Sequence, residues 1–176
     1  CEVDYASHLW GNASLRFGSN PDNGEVEEHV VVTTEVSTMD LAAYTGIIAI
    51  GAYAMDRLRY DPVARKGRKC QAPAVELLRR AAATEGLKLG AICHSLWLYC
   101  ADPDLLRGRR VTCAHNILWD VLNAGGEVVY EGDATADIVI DGDLVTGRHP
   151  EVVDRFMDVF LGEIEAEDAR RAARAI

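Results

Sequence analysis

The chain has 176 residues, 49% hydrophobic and 26% charged, which suits one soluble domain with a full-sized core. Its 18 basic and 28 acidic side chains leave a net charge of −10, against the basic face that nucleic acid requires. No apolar run approaches the ~20 residues of a membrane helix.

Residues 2–6 form a short β-prone opening, and 8–28, with their Gly, Asn, Asp and Pro21, read as a loop. The valine run in 29–34 predicts a short strand, and 40–44 a linking turn. Residues 46–51 are an apolar run closed by glycine, the pattern of a strand buried on both faces of a parallel sheet. Residues 61–71 are basic and polar and read as an exposed loop. An amphipathic helix is expected over 74–85, with Val75, Leu77, Leu78, Ala81 and Ala82 on one face. Pro73 stands in its first turn and Gly86 closes it. A second buried strand, 87–92, runs straight into a helix over 95–100. A turn at 104–108 precedes a strand over 110–113 and a helix over 117–123. Strands follow at 127–131 and 137–140, and Asp141-Gly142 makes a hairpin turn into 144–147. A closing helix spans 150–163, and a charged helical extension continues through 163–176, with Glu167 four residues before Arg171. Alternating strands and helices predict an α/β fold with a mostly parallel sheet, helices on both faces and a small hairpin near 137–147.

Five cysteines, an odd number with no C-x-x-C pair, argue against a disulfide or zinc framework and for a reducing cytoplasm. No signal peptide is visible. The chemistry concentrates at Gly90-Ala91-Ile92-Cys93-His94-Ser95, where a strand gives way at once to a helix. A cysteine on such an elbow projects from the carboxyl end of the sheet, and small neighbours let the backbone bend. A helix N-terminus lowers a thiol pKa, and His94 offers a base or a positive neighbour. The competing reading is a buried core cysteine.

Four blocks resemble the ThiJ/PfpI family, which includes PfpI-type intracellular proteases and the parkinsonism-associated deglycase. They are Ala91-Ile92-Cys93-His94, Leu106-Arg107-Gly108-Arg109-Arg110-Val111-Thr112, Asp120 to Gly126 (D-V-L-N-A-G-G) and Asp141 to Pro150 (D-G-D-L-V-T-G-R-H-P). The resemblance covers roughly residues 45–161. It implies a flavodoxin-like doubly wound sheet of the class I glutamine amidotransferase type, with Cys93 as nucleophile and His94 as its partner. It also implies that Asp56 supplies an acid to the histidine of a neighbouring subunit, so that the protein is a homodimer or larger. Gly51, Ala52 and His94 take the place of the family's oxyanion hole. The chain departs from the pattern at Ile50, Ala52 and Asp56, where the family has Pro, Gly and Glu.

Family members begin with a strand and helix ahead of the strand that corresponds to residues 2–6. That unit carries the glutamate that hydrogen-bonds the nucleophilic sulfur. A single domain over 1–176 without that unit is expected to receive the missing strand from a second chain or an omitted segment, with a rearranged branch of the family as the third explanation. That strand would lie between residues 2–6 and 46–50.

His115 and Trp119 are candidate pocket residues, each also readable as an ordinary surface or packing residue. His149 reads as the start of the closing helix, Trp97 and Tyr99 as core, and His8, Trp10 and His29 as an entrance lining. The expected activity is a cysteine-dependent hydrolase or related enzyme: a peptidase, an amidase or a glyoxalase/deglycase. It would act on a small-molecule or peptide substrate, with no cofactor, no metal, no nucleic acid and no membrane. Two alternatives stand beside it. One is a non-enzymatic redox-sensing or stress-response member with an oxidisable Cys93. The other is a glutamine amidotransferase-like domain using His149-x-Glu151.

Overall fold

The computed structural model describes residues 1–19 and 26–174, so Pro21 of the expected loop and Ala175 of the charged extension lie outside the described residues. The chain forms two compact units, Cys1–Met39 and Asp40–Ile176.

In the first unit the opening strand is two residues long. β1 (Ala6–Ser7) pairs in parallel with β4 (Thr34–Glu35). Between them β2 (Leu15–Gly18) and β3 (His29–Val32) make an antiparallel ladder. The expected loop over 8–28 therefore contains a strand. The Leu15-Arg16-Phe17-Gly18 segment is exposed at three of its four positions, and its brief apolar-polar alternation is too short to stand out among the Gly, Asn and Ser around it. Glu35 ties this unit together by accepting from the N–H groups of Leu9 and Ser37 and from His8 Nδ1. Burial works to raise its carboxyl pKa, but these hydrogen bonds outweigh burial and hold it below the ordinary value.

In the second unit β5 (Gly46–Ala49) and β6 (Lys88–Ile92) run parallel, and β6 pairs in parallel with β12 (Leu144–Gly147). The antiparallel β11 (Ile138–Asp141) completes a four-stranded sheet in the order β11-β12-β6-β5. The hairpin near 137–147 thus forms as expected, with Gly142 at φ +64° in its turn. The short β7 (Arg110–Val111) and β8 (Glu127–Val128) pair in parallel, and β9 (Tyr130–Glu131) pairs with β10 (Ala134–Thr135). Every residue of β6 is buried, as the sequence implied. β5 is only half-buried and Ile50 is 73% exposed, because β5 ends the sheet and has a neighbour on one side only.

Helices α1 (Ala54–Leu58), α2 (Pro73–Ala82), α3 (Leu96–Cys100) and α4 (Leu118–Asn123) are short, whereas α5 (Val153–Arg174) runs 22 residues. α2 buries Val75, Leu77, Leu78 and Ala81 as expected, but Ala82 at its end is exposed. α5 lies on one face of the sheet, where small residues make room for it. Phe156 and Phe160 stack with ring centroids 6.0 Å apart over Gly46, Gly90 and Gly147. A Cβ at Gly90 would come within 2.9 Å of Ile48 and 3.1 Å of both phenylalanines. On the same face Lys88, nearly fully buried, donates to Glu163 at 3.1 Å and to the Gly142 carbonyl. Leu89 and Ala91 point to the opposite face and are equally buried.

Gly90→Ala should therefore destabilise the fold by about 1–3 kcal/mol through overpacking. Gly162→Ala, on α5 with nothing within 4 Å of the new methyl, should stabilise it by up to ~1 kcal/mol. Urea unfolding of the two variants beside the parent checks the opposite signs.

Candidate active site

β6 ends at Ile92, and the next three residues form a tight turn before α3 begins. Cys93 stands in that turn at φ +62°, a left-handed conformation that costs a non-glycine residue roughly 1–2 kcal/mol. Ser95 underpins the turn: it is fully buried, and its hydroxyl meets the carbonyls of Ile92 and Ala49 while accepting from Ile92 N–H. The elbow is thereby tied to the end of β5. There a second left-handed turn occurs, with Gly51 at φ +84° and Ala52 at φ +58°. A Cβ at Gly51 would sit 2.7 Å from the Ile92 carbonyl oxygen, so only glycine lets the two turns meet.

This meeting points the backbone N–H groups of Ala52 and His94 at the Cys93 sulfur. The His94 Nδ1 lies 3.0 Å from Cys93 Sγ. Cys93 itself is 8% exposed. Burial pushes its thiol pKa up, and the two N–H groups offset this only in part. The expectation that a helix N-terminus would lower the thiol pKa is thus corrected: α3 is only five residues long, and desolvation dominates. Burial likewise lowers the His94 pKa, and the nearby His149 and His115 add to that effect, while a hydrogen bond to Asn116 opposes it. Thiol and imidazole are accordingly both neutral at pH 7.

Asn116 is the site residue that the sequence did not reveal. Its side-chain amide nitrogen, Nδ2, lies 2.5 Å from His94 Nε2, on the ring edge opposite the sulfur. It sits in the short helical turn His115–Ile117, positioned by the N–H of Ala114 donating to the Cys93 carbonyl. An isolated polar residue in a turn has no periodicity to announce it. The adjacent His115 is exposed, and its effect on His94 is electrostatic. Trp97, expected in the core, is half-buried beside His94 with ring centroids 5.8 Å apart, and its indole donates to Asp120. Tyr53 flanks the imidazole at 5.7 Å, and Tyr99 is core as expected. Trp119 is 73% exposed, and no contact ties it to the cysteine. The Asp56 carboxylate is also exposed and pairs within its own chain with Arg59 at 3.3 Å. His149 starts the turn before α5, and its Nδ1 is buried without a hydrogen-bond partner among the described residues. Among the described residues no group of three or more His, Cys, Asp or Glu is arranged to hold a metal. No described helix is long and apolar enough to cross a membrane.

A parallel α/β sheet with a strained cysteine elbow beside a histidine defines a class of fold, and comparison with known proteins names the family. The model of the DJ-1/PfpI family matches residues 14–163, and the chain belongs to that family. An uncharacterized protein of Staphylococcus haemolyticus is 28% identical over 143 residues, 81% of this chain and 74% of that protein. Among solved structures, a ThiJ/PfpI domain protein from Brachyspira murdochii superposes with a TM-score of 0.66 at 14% identity, over 79% of this chain and 70% of its own. A two-domain protein from Anabaena variabilis, with DJ-1/ThiJ/PfpI-like and ferritin-like domains, gives 0.65 at 22% identity. That match covers 78% of this chain but 35% of the longer protein. At these identities the structures establish the flavodoxin-like fold and leave the reaction open.

Two outcomes follow from this geometry. Burial pushes Cys100 and Cys113 up to about 12, and neither has two N–H donors to oppose it. Iodoacetamide should therefore modify Cys93 before Cys100 or Cys113, at a rate rising about tenfold per unit from pH 7 to 9 as the thiolate forms. A rate that is flat from pH 6 upward would mean a low thiol pKa instead. Ala52→Gly removes left-handed strain of roughly 1–2 kcal/mol and adds about 0.4–1 kcal/mol of unfolded-chain entropy. Thermal denaturation should therefore show a small net gain in stability.

Proposed function

We propose that this chain is a cysteine-dependent hydrolase or related enzyme acting on a small carbonyl, amide or peptide substrate. The observation that carries the reading is the 3.0 Å contact between Cys93 Sγ and His94 Nδ1, with two backbone N–H groups converging on the same sulfur. A neutral thiol beside a neutral imidazole is the starting state for general-base attack. As Sγ attacks the substrate carbonyl carbon, its proton passes to Nδ1, and the carbonyl π electrons become an oxyanion next to the Ala52 and His94 N–H groups. His94 then returns the proton to the leaving group. In the hydrolytic case water, deprotonated by the same imidazole, attacks the thioester and frees the thiol.

This sequence of steps requires the Nδ1 lone pair to face the sulfur, hence a proton on Nε2. Asn116 meets that requirement once its amide is flipped, so that Oδ1 instead of Nδ2 faces Nε2 and accepts a hydrogen bond from the Nε2–H. Cysteine, histidine and asparagine then act in the roles they take in papain-like proteases. Within this reading Asn116 holds the imidazole from inside the chain, and a contribution from Asp56 across a homodimer, which would have to give up its pairing with Arg59, is not indispensable. The redox-sensing alternative gains less support, because oxidation needs a thiolate and burial opposes one at Cys93.

A panel of small aldehydes, activated esters, amides and short peptides should reveal a turnover that Cys93→Ala abolishes without unfolding the protein. Retention of full turnover in that variant would remove the nucleophile. His94→Ala should lower kcat by about 100-fold or more. Asn116→Ala should lower it by on the order of 10-fold, the worth of one hydrogen bond to an imidazolium. Asn116→Asp should recover activity, with the acid limb of the pH profile moved upward because a carboxylate raises the histidine pKa. Loss of activity in Asn116→Ala without that shift in Asn116→Asp would indicate a merely structural asparagine.

A further inference from the structure

One stretch of this acidic chain is strongly basic. Residues 57–69 hold Arg57, Arg59, Arg65, Lys66, Arg68 and Lys69 against the single acid Asp61, while the whole chain carries −10. Here a cavity of about 730 Å³ is lined by Arg57, Arg59, Arg65 and Arg68, by Tyr60, and by the acids Asp56 and Asp61. Cys93 does not line it. The two acids are already committed. Asp61 accepts from the N–H groups of Val63 and Gln71 at 2.9 and 2.8 Å and so closes the loop on itself. Asp56 accepts from Arg59 at 3.3 Å. Lys69 is likewise taken, by Asp104 at 2.6 Å. Arg65 and Arg68 are exposed and make no ion pair among the described residues, although the Asp61 carboxylate feels the charge of Arg68.

Guanidinium groups gathered around one cavity repel one another unless an anion lies between them. Their planar forks suit the tetrahedral oxygens of phosphate, which accept two N–H groups from each arginine. The cavity volume is within the range that holds a small ligand, and Tyr60, 66% exposed, offers a flat ring on the same wall. We propose that this cavity binds an oligophosphate group, with Arg65 and Arg68 as its principal ligands. The bound group is either a free phosphate chain or the chain of a nucleotide whose base rests on Tyr60. Arg59 also lies over the Trp97 ring, 4.9 Å from its centroid, so an occupant would touch the same side chain that flanks Trp97 and, through it, His94.

The proposal stands apart from the chemistry at Cys93 and is tested by binding alone. Calorimetric titration of the full chain with tripolyphosphate and with ADP, at low salt, should give saturable one-to-one binding that weakens as salt is added. The variant R65Q/R68Q should bind about 10-fold more weakly or worse. Its unchanged far-UV circular dichroism and melting temperature would show that it folds, and if it does not, R65Q and R68Q singly serve the same purpose. Citrate, a trianion without phosphate, should bind at least about 10-fold more weakly than tripolyphosphate. Tighter binding of ADP than of pyrophosphate would assign the nucleotide source, and equal binding the phosphate chain alone. The proposal is overturned by the absence of saturable binding of both probes, by undiminished binding in the folded variants, or by citrate binding as tightly as tripolyphosphate.

Discussion

The site depends on one close approach, that of the Gly51 backbone to the carbonyl of Ile92. β5 and β6 are parallel and in register, with Ala49 beside Ala91, so both strands reach the carboxyl edge of the sheet at the same level. Each must leave the sheet there, and each does so through left-handed backbone. A side chain at Gly51 would drive the two turns apart. Without it, the Ser95 hydroxyl clamps both strand ends, and the N–H groups of Ala52 and His94 converge on one sulfur. Strain at Ala52 and Cys93 is sustained because buried hydrogen bonds around them fix the backbone on both sides.

Three of the sequence blocks that carried the family resemblance prove to be one interlocked structure. Arg109 reaches across to the hairpin, where its guanidinium meets the carboxylates of Asp141 and Asp143 and the Asp141 carbonyl. Thr112 donates its N–H to the Thr146 hydroxyl and its own hydroxyl to the Ala136 carbonyl. Gly108 donates to the Gly125 carbonyl, and Gly126 is held against Val121 too closely for any Cβ. The motifs read as catalytic-family signatures are therefore largely a structural brace. They hold β12, whose Gly147 carbonyl accepts from the Cys93 N–H and so fixes the height of the nucleophile.

That division explains what the sequence made legible. The buried strand 88–92, the hairpin at Gly142, the amphipathic face of α2 and the elbow at Cys93 all follow from periodicity and turn chemistry, which are local. β2 escaped because its alternation of Leu15, Arg16 and Phe17 is only three residues long and lies in a stretch rich in turn-forming residues. The half-burial of β5 escaped because its composition speaks of apolarity and not of its position at the end of a sheet. The raised Cys93 pKa escaped because it is decided by how much protein surrounds the sulfur, and a five-residue helix has little to set against that. Asn116 escaped because its partnership with His94 joins residues 22 apart that only the folded chain brings together.

Burial of the nucleophile also governs what reaches it. The sulfur is 8% exposed, with the Ala52 N–H and the ring of His94 against it and Tyr53 and Trp97 next to that ring. Main chain locked by hydrogen bonds does not swing aside as a side chain does. A compact electrophile therefore reaches the sulfur more readily than one that is bulky at its reacting carbon. Burial thus selects reagents by size before any chemistry begins, and among reagents of equal intrinsic reactivity the most compact modifies Cys93 fastest.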